Sequence, residues 1–104
     1  MLNQCVLVGK VKESPIIKKT PNGTTTATLL LDVERAFRNS NGEIEYDVFA
    51  VTLWRGIAED CQACEPGTLV GIRGRLQSNV HSASNDITYY NAEIIAEKLS
   101  FLSR

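Results

Sequence analysis

The sequence predicts an all-β domain with one short helix, and three patterns in the chain point to this fold class. Apolar and polar residues alternate with the two-residue period of a strand over several segments. Turn signals separate these segments, and only residues 56–64 carry apolar positions at helical spacing. The 104 residues match the size of one compact domain, which we expect to span residues 1–104.

Five extended segments are predicted, at residues 2–12, 24–36, 44–54, 68–77 and 87–97. They are bounded by Ser14-Pro15, Pro21-Asn22-Gly23, Asn41-Gly42, Pro66-Gly67 and the polar loop 82–86. Alternation places one set of apolar side chains on a common face of each of the last four segments. These sets are Ala27, Leu29, Leu31 and Val33; Phe49, Val51 and Leu53; Val70, Ile72 and Leu76; and Tyr90, Ala92, Ile94 and Ala96.

The resulting order is β-β-β-α-β-β, with the helix between the third and fourth strands. This is the order of an OB fold, a five-stranded Greek-key barrel. The long strands favour closure into a barrel, because long strands must coil around a small core. We therefore predict an OB barrel.

The first segment has apolar residues on both faces. Cys5, Leu7 and Val11 lie on one face, whereas Val6 and Val8 lie on the other. The outer face of a monomeric barrel is expected to be polar, so this pattern favours a homo-oligomer. The alternative is that a loop, or the C-terminal Leu99, Phe101 and Leu102, covers the outer face.

Composition and charge exclude several classes of protein. The formal net charge is −1, so overall charge gives no signal for a nucleic-acid partner. Basic residues are nevertheless concentrated in the first and last thirds of the chain, while the middle third is acidic. No apolar run approaches the length of a membrane span, and no signal peptide is recognisable. We expect a cytoplasmic protein without a membrane partner.

The three cysteines do not suggest a disulfide framework, because their number is odd. Cys61 and Cys64 form a C-x2-C pair that invites a zinc interpretation, but Cys5 and His81 are the only further soft ligands and are distant in sequence. Ile57, Cys61 and Cys64 also recur at helical spacing, so we expect a core stripe and neither a metal nor another cofactor.

Motifs for catalysis are missing from the sequence. It has one histidine and lacks a serine elbow, a Walker loop, H-E-x-x-H and a dinucleotide fingerprint. Gly71 and Gly74 fall inside a predicted strand, where glycine marks a bend or a close approach. We expect a binding protein rather than an enzyme.

Aromatic and basic residues are interleaved where the chain faces away from the core. Trp54 alternates with Leu53 and is expected to point outward, where its ring offers a stacking platform for any base. The alternative is that Trp54 covers the helix or a subunit contact. The candidate binding residues are Lys10, Arg35, Phe37, Arg38, Trp54, Arg55, Arg73 and Arg75. This mixture suits an unpaired nucleic-acid strand, since cations hold phosphates and rings hold bases.

An ordered set of short motifs across residues 2–102 resembles the bacterial single-stranded DNA-binding protein family. The stretches are Asn3-Gln4-Cys5-Val6-Leu7-Val8-Gly9-Lys10-Val11, Ser14-Pro15, Thr20-Pro21-Asn22-Gly23, Arg35-Ala36-Phe37-Arg38, Asn41-Gly42-Glu43-Ile44, Leu53-Trp54-Arg55, Ala58-Glu59, Pro66-Gly67-Thr68-Leu69-Val70 and Gly74-Arg75-Leu76. The resemblance implies an OB fold that binds single-stranded DNA with little sequence preference, in replication, recombination or repair. It also implies a nucleoid-associated homotetramer built partly on the first strand, with a dimer as the alternative.

Carried over from this family, the base-stacking positions fall on Phe37, Val48, Trp54 and His81. Val48 is a departure because it has no π-face, and His81 offers a smaller ring. Tyr46 is a possible substitute for the ring missing at Val48. We expect weaker binding per nucleotide than in aromatic-rich relatives.

The family's replication members carry a flexible linker and an acidic C-terminal tip that recruits partner enzymes. This sequence ends at Arg104, so no tail-mediated recruitment is expected if the chain is complete. A primosomal-type OB protein is a close variant, although Trp54-Arg55 and Ala58-Glu59 favour the single-strand binder. The competing class is an OB protein-interaction module without nucleic-acid binding, which the few aromatic residues and the acidic middle third support.

Overall fold

The computed structural model describes residues 1–103 as six strands, one short helix and a 3-10 turn. The strands are β1 (Cys5–Val11), β2 (Ile16–Lys19), β3 (Thr25–Glu34), β4 (Tyr46–Trp54), β5 (Leu69–Ser82) and β6 (Thr88–Phe101). Helix α1 (Arg55–Asp60) and the 3-10 turn (Cys61–Ala63) lie between β4 and β5. The described residues include no helix that is long and apolar enough to cross a membrane.

Five of the strands form a closed ring. Their order is β1-β5-β6-β4-β3, and a short pairing of Lys10 and Val11 with β3 joins the last strand back to β1. The β4–β6 pair is parallel, and the other pairs are antiparallel. This confirms the predicted five-stranded OB barrel with one helix after its third strand.

The short strand β2 was not predicted. It pairs antiparallel with β3, from Ile16 opposite Thr28 to Lys19 opposite Thr25, and so adds an edge outside the ring. Pro21-Asn22-Gly23 closes this hairpin, with Gly23 at φ 82°. The turn signal was recognised, but four residues that include two lysines are too short a run to show a strand period.

The predicted core is confirmed for β3, for the helical segment and for Val51 and Leu53 of β4, whereas Phe49 is only partly buried and lies outside the core cluster. Leu29, Leu31, Val51 and Leu53 are fully buried, and Ala58, Cys61 and Cys64 pack against them. Burial raises the pKa of Cys61 to about 12, and the nearby Cys64 adds to the shift. Both cysteines therefore stay protonated and occupy the core as small apolar side chains.

Strands β5 and β6 are longer than predicted and leave the barrel together. Residues 77–92 form a two-stranded hairpin, here called the arm, with a turn at residues 83–87. Both faces of the arm are exposed, so the prediction that Leu76 shares the buried face of Val70 and Ile72 is wrong: Leu76 is 49% exposed. The face shared by Tyr90, Ala92, Ile94 and Ala96 is buried only at its barrel end, because Tyr90 is 77% exposed.

A β-bulge lies where the arm joins the barrel. Arg73 pairs with Lys98 and Gly74 pairs with Ala96, so Glu97 is the extra residue in β6. A Cβ at Gly74 would collide with the carbonyl oxygen of Ile95. This confirms that a glycine inside the predicted strand marks a close approach of two backbones.

The two apolar faces of β1 are present as predicted. Leu7 and Val11 pack on the core, whereas Val6 is 67% and Val8 is 50% exposed. Leu102 reaches this face, since its Cδ1 lies 3.6 Å from where a Cβ on Gly71 would be, and Gly71 is the Cα partner of Val8. Phe101 and Leu102 stay about half exposed, and the C-terminal residues cover the outer face of β1 only in part.

Candidate nucleic-acid interface

The barrel wall formed by β2, β3 and β4 presents an ordered outer face, meaning the face turned away from the core. Lys18, Thr26 and Trp54 are Cα partners in one row across the three strands. Ile16, Thr28 and Thr52 form the neighbouring row on the same face. The flanking residues of β3 and β4, among them Leu53, point inward to the core.

Trp54 is the last residue of β4 and is 42% exposed, which agrees with the predicted outward orientation. Its backbone is extended (φ −123°, ψ 145°), and α1 begins at the next residue. The direction changes at Arg55, which has a left-handed backbone with φ 59°. Thr26 donates a hydrogen bond from Oγ1 to the carbonyl of Leu53 (3.2 Å), which fixes the sheet beside Trp54.

A shallow groove lies farther along the same wall. Lys10, Lys12, Asp32, Tyr46 and Val48 line it. Lys12 Nζ is 3.8 Å from Asp32 Oδ1, so one of the two lysines is paired with an acid. Val48 and Tyr46 are each about half exposed. Tyr46 therefore offers an exposed ring two residues before Val48, the position where the family pattern expects a ring.

The β3–β4 connection holds one arginine in an ion pair and leaves an aromatic ring free. Arg35 donates from Nε and Nη2 to Asp47 Oδ1 at 3.0 and 2.8 Å, and its Nη1 lies 3.6 Å from Glu45. The hydrogen bond from Arg35 lowers the pKa of Asp47, and the same bond raises the pKa of Arg35. Arg38 donates from Nη1 to the Gly42 carbonyl (2.9 Å), while Phe37 is 86% exposed.

Arg73 and Arg75 share the outer face of β5, as predicted, but the structure does not bring them next to Trp54. Strand β6 lies between β5 and β4. Arg75 Nη1 is 3.4 Å from Glu97 Oε2, and Arg75 Nη2 donates to Gln77 (3.2 Å). Arg73 is the Cα partner of Val6 and so lies beside the exposed valines of β1.

The arm carries His81 together with two tyrosines that were not among the candidates. His81 and Tyr89 are cross-strand partners, with ring centroids 6.4 Å apart and an angle of 26° between ring planes. Tyr90 points from the opposite face of the arm and pairs with Val80. The signal that could have found them is the pair of strand-forming runs that flank the polar loop 82–86.

A fixed carboxylate borders the outer face on the β6 side of β4. Glu93 accepts a hydrogen bond from Thr52 Oγ1 at Oε2 (2.7 Å) and another from Asn79 Nδ2 at Oε1 (3.1 Å). These two bonds tie the root of the arm to the barrel wall. They also hold a negative charge beside the row of Thr52, and the sequence pattern gave no sign of this arrangement.

The candidate cations, together with Lys18, which the structure adds, therefore fall into two groups. Arg35, Arg38 and Arg75 are engaged by acids, a side-chain amide or a backbone carbonyl. Among residues 1–103, no salt bridge within 4.0 Å involves the following cations: Lys10, Lys18, Arg55 and Arg73. The second group is available to bind phosphates without first losing an acidic partner.

Comparison with known proteins places this chain in one family. The model of the single-strand binding protein family matches residues 2–102. Single-stranded DNA-binding protein B of Bacillus subtilis (strain 168) is 37% identical over 103 residues, which cover 98% of this chain and 91% of that protein. Two further relatives are each 38% identical over 103 residues, namely the single-stranded DNA-binding protein of Bacillus cereus and single-stranded DNA-binding protein A of Bacillus subtilis (strain 168). This chain spans about three fifths of the length of each.

These relatives are DNA-binding proteins by name, and the family is one of binding proteins rather than of enzymes. The match covers every strand of the ring as well as Trp54 and Arg55. The chain belongs to the single-strand binding protein family.

Proposed function

We propose that this chain binds single-stranded DNA with little sequence preference, by stacking bases on exposed rings and by holding phosphates with cations. The observation that carries this proposal is Trp54, an exposed indole ring on the outer face, with Arg55 next to it in the chain and Lys18 in the same cross-strand row. Any base can stack on such a ring, because every base has a π-face. Family membership and the names of the relatives support the same ligand.

The stacking platforms are spread over three parts of the molecule. Trp54 lies at the end of β4, Phe37 lies in the β3–β4 connection, and His81 with its partner Tyr89 lies on the arm. Tyr46 supplies a ring near Val48, which itself offers only apolar contact. A DNA strand that contacts all of these rings has to cross both the barrel wall and the arm.

The phosphate contacts come first from cations that form no salt bridge within residues 1–103, namely Lys10, Arg55 and Arg73. Arg35, Arg38 and Arg75 contribute only by exchanging their present partners for phosphates, which reduces their net gain. Each contact releases counterions, so we expect binding to weaken as salt rises. The net charge of −1 makes long-range steering modest.

The proposal includes a role and an assembly. The protein coats and protects exposed single strands during replication, recombination or repair, at the nucleoid in the cytoplasm. It does so as a homo-oligomer, a tetramer or a dimer, that uses the outer face of β1. The exposed Val6 and Val8 support this assembly, since apolar pairs on a sheet face favour burial against a partner.

The direct test is fluorescence anisotropy of a labelled oligo(dT) titrated with the wild type, Trp54→Ala and Trp54→Phe. We expect Trp54→Ala to weaken binding by roughly tenfold, because loss of one stacking ring costs about 1–3 kcal/mol. Trp54→Phe retains most of the affinity, since a ring remains. Unfolding of Trp54→Ala in circular dichroism would show that Trp54 is a core residue and not a stacking platform. Wild-type protein that leaves the anisotropy unchanged would favour the OB protein-interaction module instead.

A further inference from the structure

Between Trp54 and β2, the outer face has a floor of short side chains that the family's expected stacking positions do not describe. The floor consists of Thr26, Thr28 and Thr52, in the two rows that cross β3 and β4. Trp54 borders it on β4, and Ile16 and Lys18 border it on β2. Ile16 is 58% exposed and Lys18 is exposed, so both are accessible beside the floor.

We infer that β2 is part of the DNA-binding surface and that Lys18 binds the backbone phosphate of the nucleotide whose base stacks on Trp54. This inference rests on the proposed function. Lys18 and Trp54 are separated by the single strand β3, so their Cα atoms are about 10 Å apart. The flexible lysine side chain reaches over Thr26 from that distance, into the space that the sugar-phosphate of a stacked nucleotide occupies.

The charges on the two sides of Trp54 favour this path. On the β6 side, Glu93 holds a carboxylate against Thr52, where it repels phosphate. On the β2 side, Lys18 forms no salt bridge with any residue in the described range 1–103. A bound strand therefore lowers its electrostatic energy by running its phosphates along β2 and its bases over the threonine floor.

Strand alternation provides a matched control on the same strand. Ile17 packs against the core, so Lys18 lies on the outer face and Lys19 lies on the opposite face. Both lysines are exposed, and both substitutions remove the same charge. If DNA binding depends only on net charge, Lys18→Ala and Lys19→Ala weaken it equally. If Lys18 contacts a phosphate, only Lys18→Ala weakens binding and lowers its salt dependence.

The experiment measures the affinity for a labelled oligo(dT) of about 15 nucleotides at several salt concentrations. One phosphate contact contributes about 0.7 to the slope of log K against log salt for a single strand. We therefore expect Lys18→Ala to reduce the slope by about 0.7 and the affinity by about five- to tenfold near 50 mM salt. Lys19→Ala keeps the wild-type slope, and Lys18→Arg restores it.

A second measurement links Lys18 to Trp54. If both residues hold the same nucleotide, the double variant Lys18→Ala/Trp54→Ala loses less affinity than the product of the two single losses. Equal slopes for Lys18→Ala and Lys19→Ala, or strictly additive losses, would overturn the inference while leaving DNA binding itself intact. Wild-type protein that does not bind the oligonucleotide would instead overturn the proposed function.

Discussion

Arg55 combines an unfavourable backbone with a useful position. Its φ of 59° lies in the left-handed region, which costs an L-residue with a Cβ about 1 kcal/mol relative to glycine. The residue directly follows Trp54 at the junction between β4 and α1. The strained backbone at this junction motivates a functional hypothesis for the guanidinium group, and the proposed function is phosphate binding.

Two substitutions separate the strain at Arg55 from its charge. Arg55→Gly and Arg55→Ala remove the same guanidinium group, but only glycine relaxes the left-handed backbone. We expect Arg55→Gly to be more stable than Arg55→Ala by about 1 kcal/mol in denaturant unfolding. Both variants should lose the same affinity for oligo(dT). Equal stabilities would show that the backbone at this junction carries no strain.

At the scale of single residues, the sequence predicts whether a side chain points inward or outward better than it predicts which side chains form ion pairs. The period of two placed Trp54 outward and Leu53 inward, because strand geometry alone decides it. The ion pair between Arg35 and Asp47 depends on which residues of β3 and β4 stand opposite each other. That register is a property of the folded sheet, so the sequence offered Arg35 as a free cation.

Among the elements, the arm is the one whose position depends on a few polar contacts. Asn3 donates from Nδ2 to the carbonyl of Leu76 (2.7 Å) and accepts at Oδ1 from the Leu76 amide (2.9 Å). Glu93 joins Thr52 to Asn79 on the other side of the arm root. These contacts fix the direction in which the arm leaves the barrel, and with it the position of the His81 ring.

Removal of the Asn3 amide should loosen the root of the arm without unfolding the barrel. We expect Asn3→Ala to speed hydrogen exchange of the Leu76 amide by about tenfold or more, because its acceptor is lost. Amides in β3 and β4 should keep their protection. Gln4→Ala, which removes the neighbouring side-chain amide, serves as the control. Unchanged exchange at Leu76 would mean that Asn3 does not hold the arm.

Among the elements, the sequence best predicts the strands that are long and buried on one face. β3 and β4 follow this pattern, and both were predicted within a few residues of their bounds. β2 was not predicted, because its four residues are too few to show the two-residue period of a strand. The arm was not predicted, because the alternation in the sequence continues beyond the barrel. Leu76 and Tyr90 therefore match a core pattern, although they are 49% and 77% exposed.

At the scale of the whole molecule, β1 carries an apolar surface that residues 1–103 leave at least half exposed. Val6 and Val8 project from the outer face of β1, with Arg73 alongside. The barrel is complete without this surface, because β1 already pairs with β5 and β3. An open apolar face next to a complete core is typical of subunit contacts.

We expect the wild type to sediment as an oligomer at micromolar concentration. Val6→Lys and Val8→Lys should shift it toward the monomer, because charges would be buried in the contact. Val80→Lys on the arm introduces the same charge on an exposed valine and should leave the oligomer unchanged. A monomeric wild type, or variants that all sediment as the wild type does, would exclude an assembly through this face.

The measurement that tests the central claim most directly is a titration of the intrinsic fluorescence of Trp54, the single tryptophan, with oligo(dT) at low and at high salt. If a base stacks on Trp54, the fluorescence is quenched to saturation, and the affinity falls as salt rises. Fluorescence that does not change at either salt concentration, together with unchanged anisotropy of labelled DNA, would contradict single-strand binding through this face and leave only the fold and the family assignment.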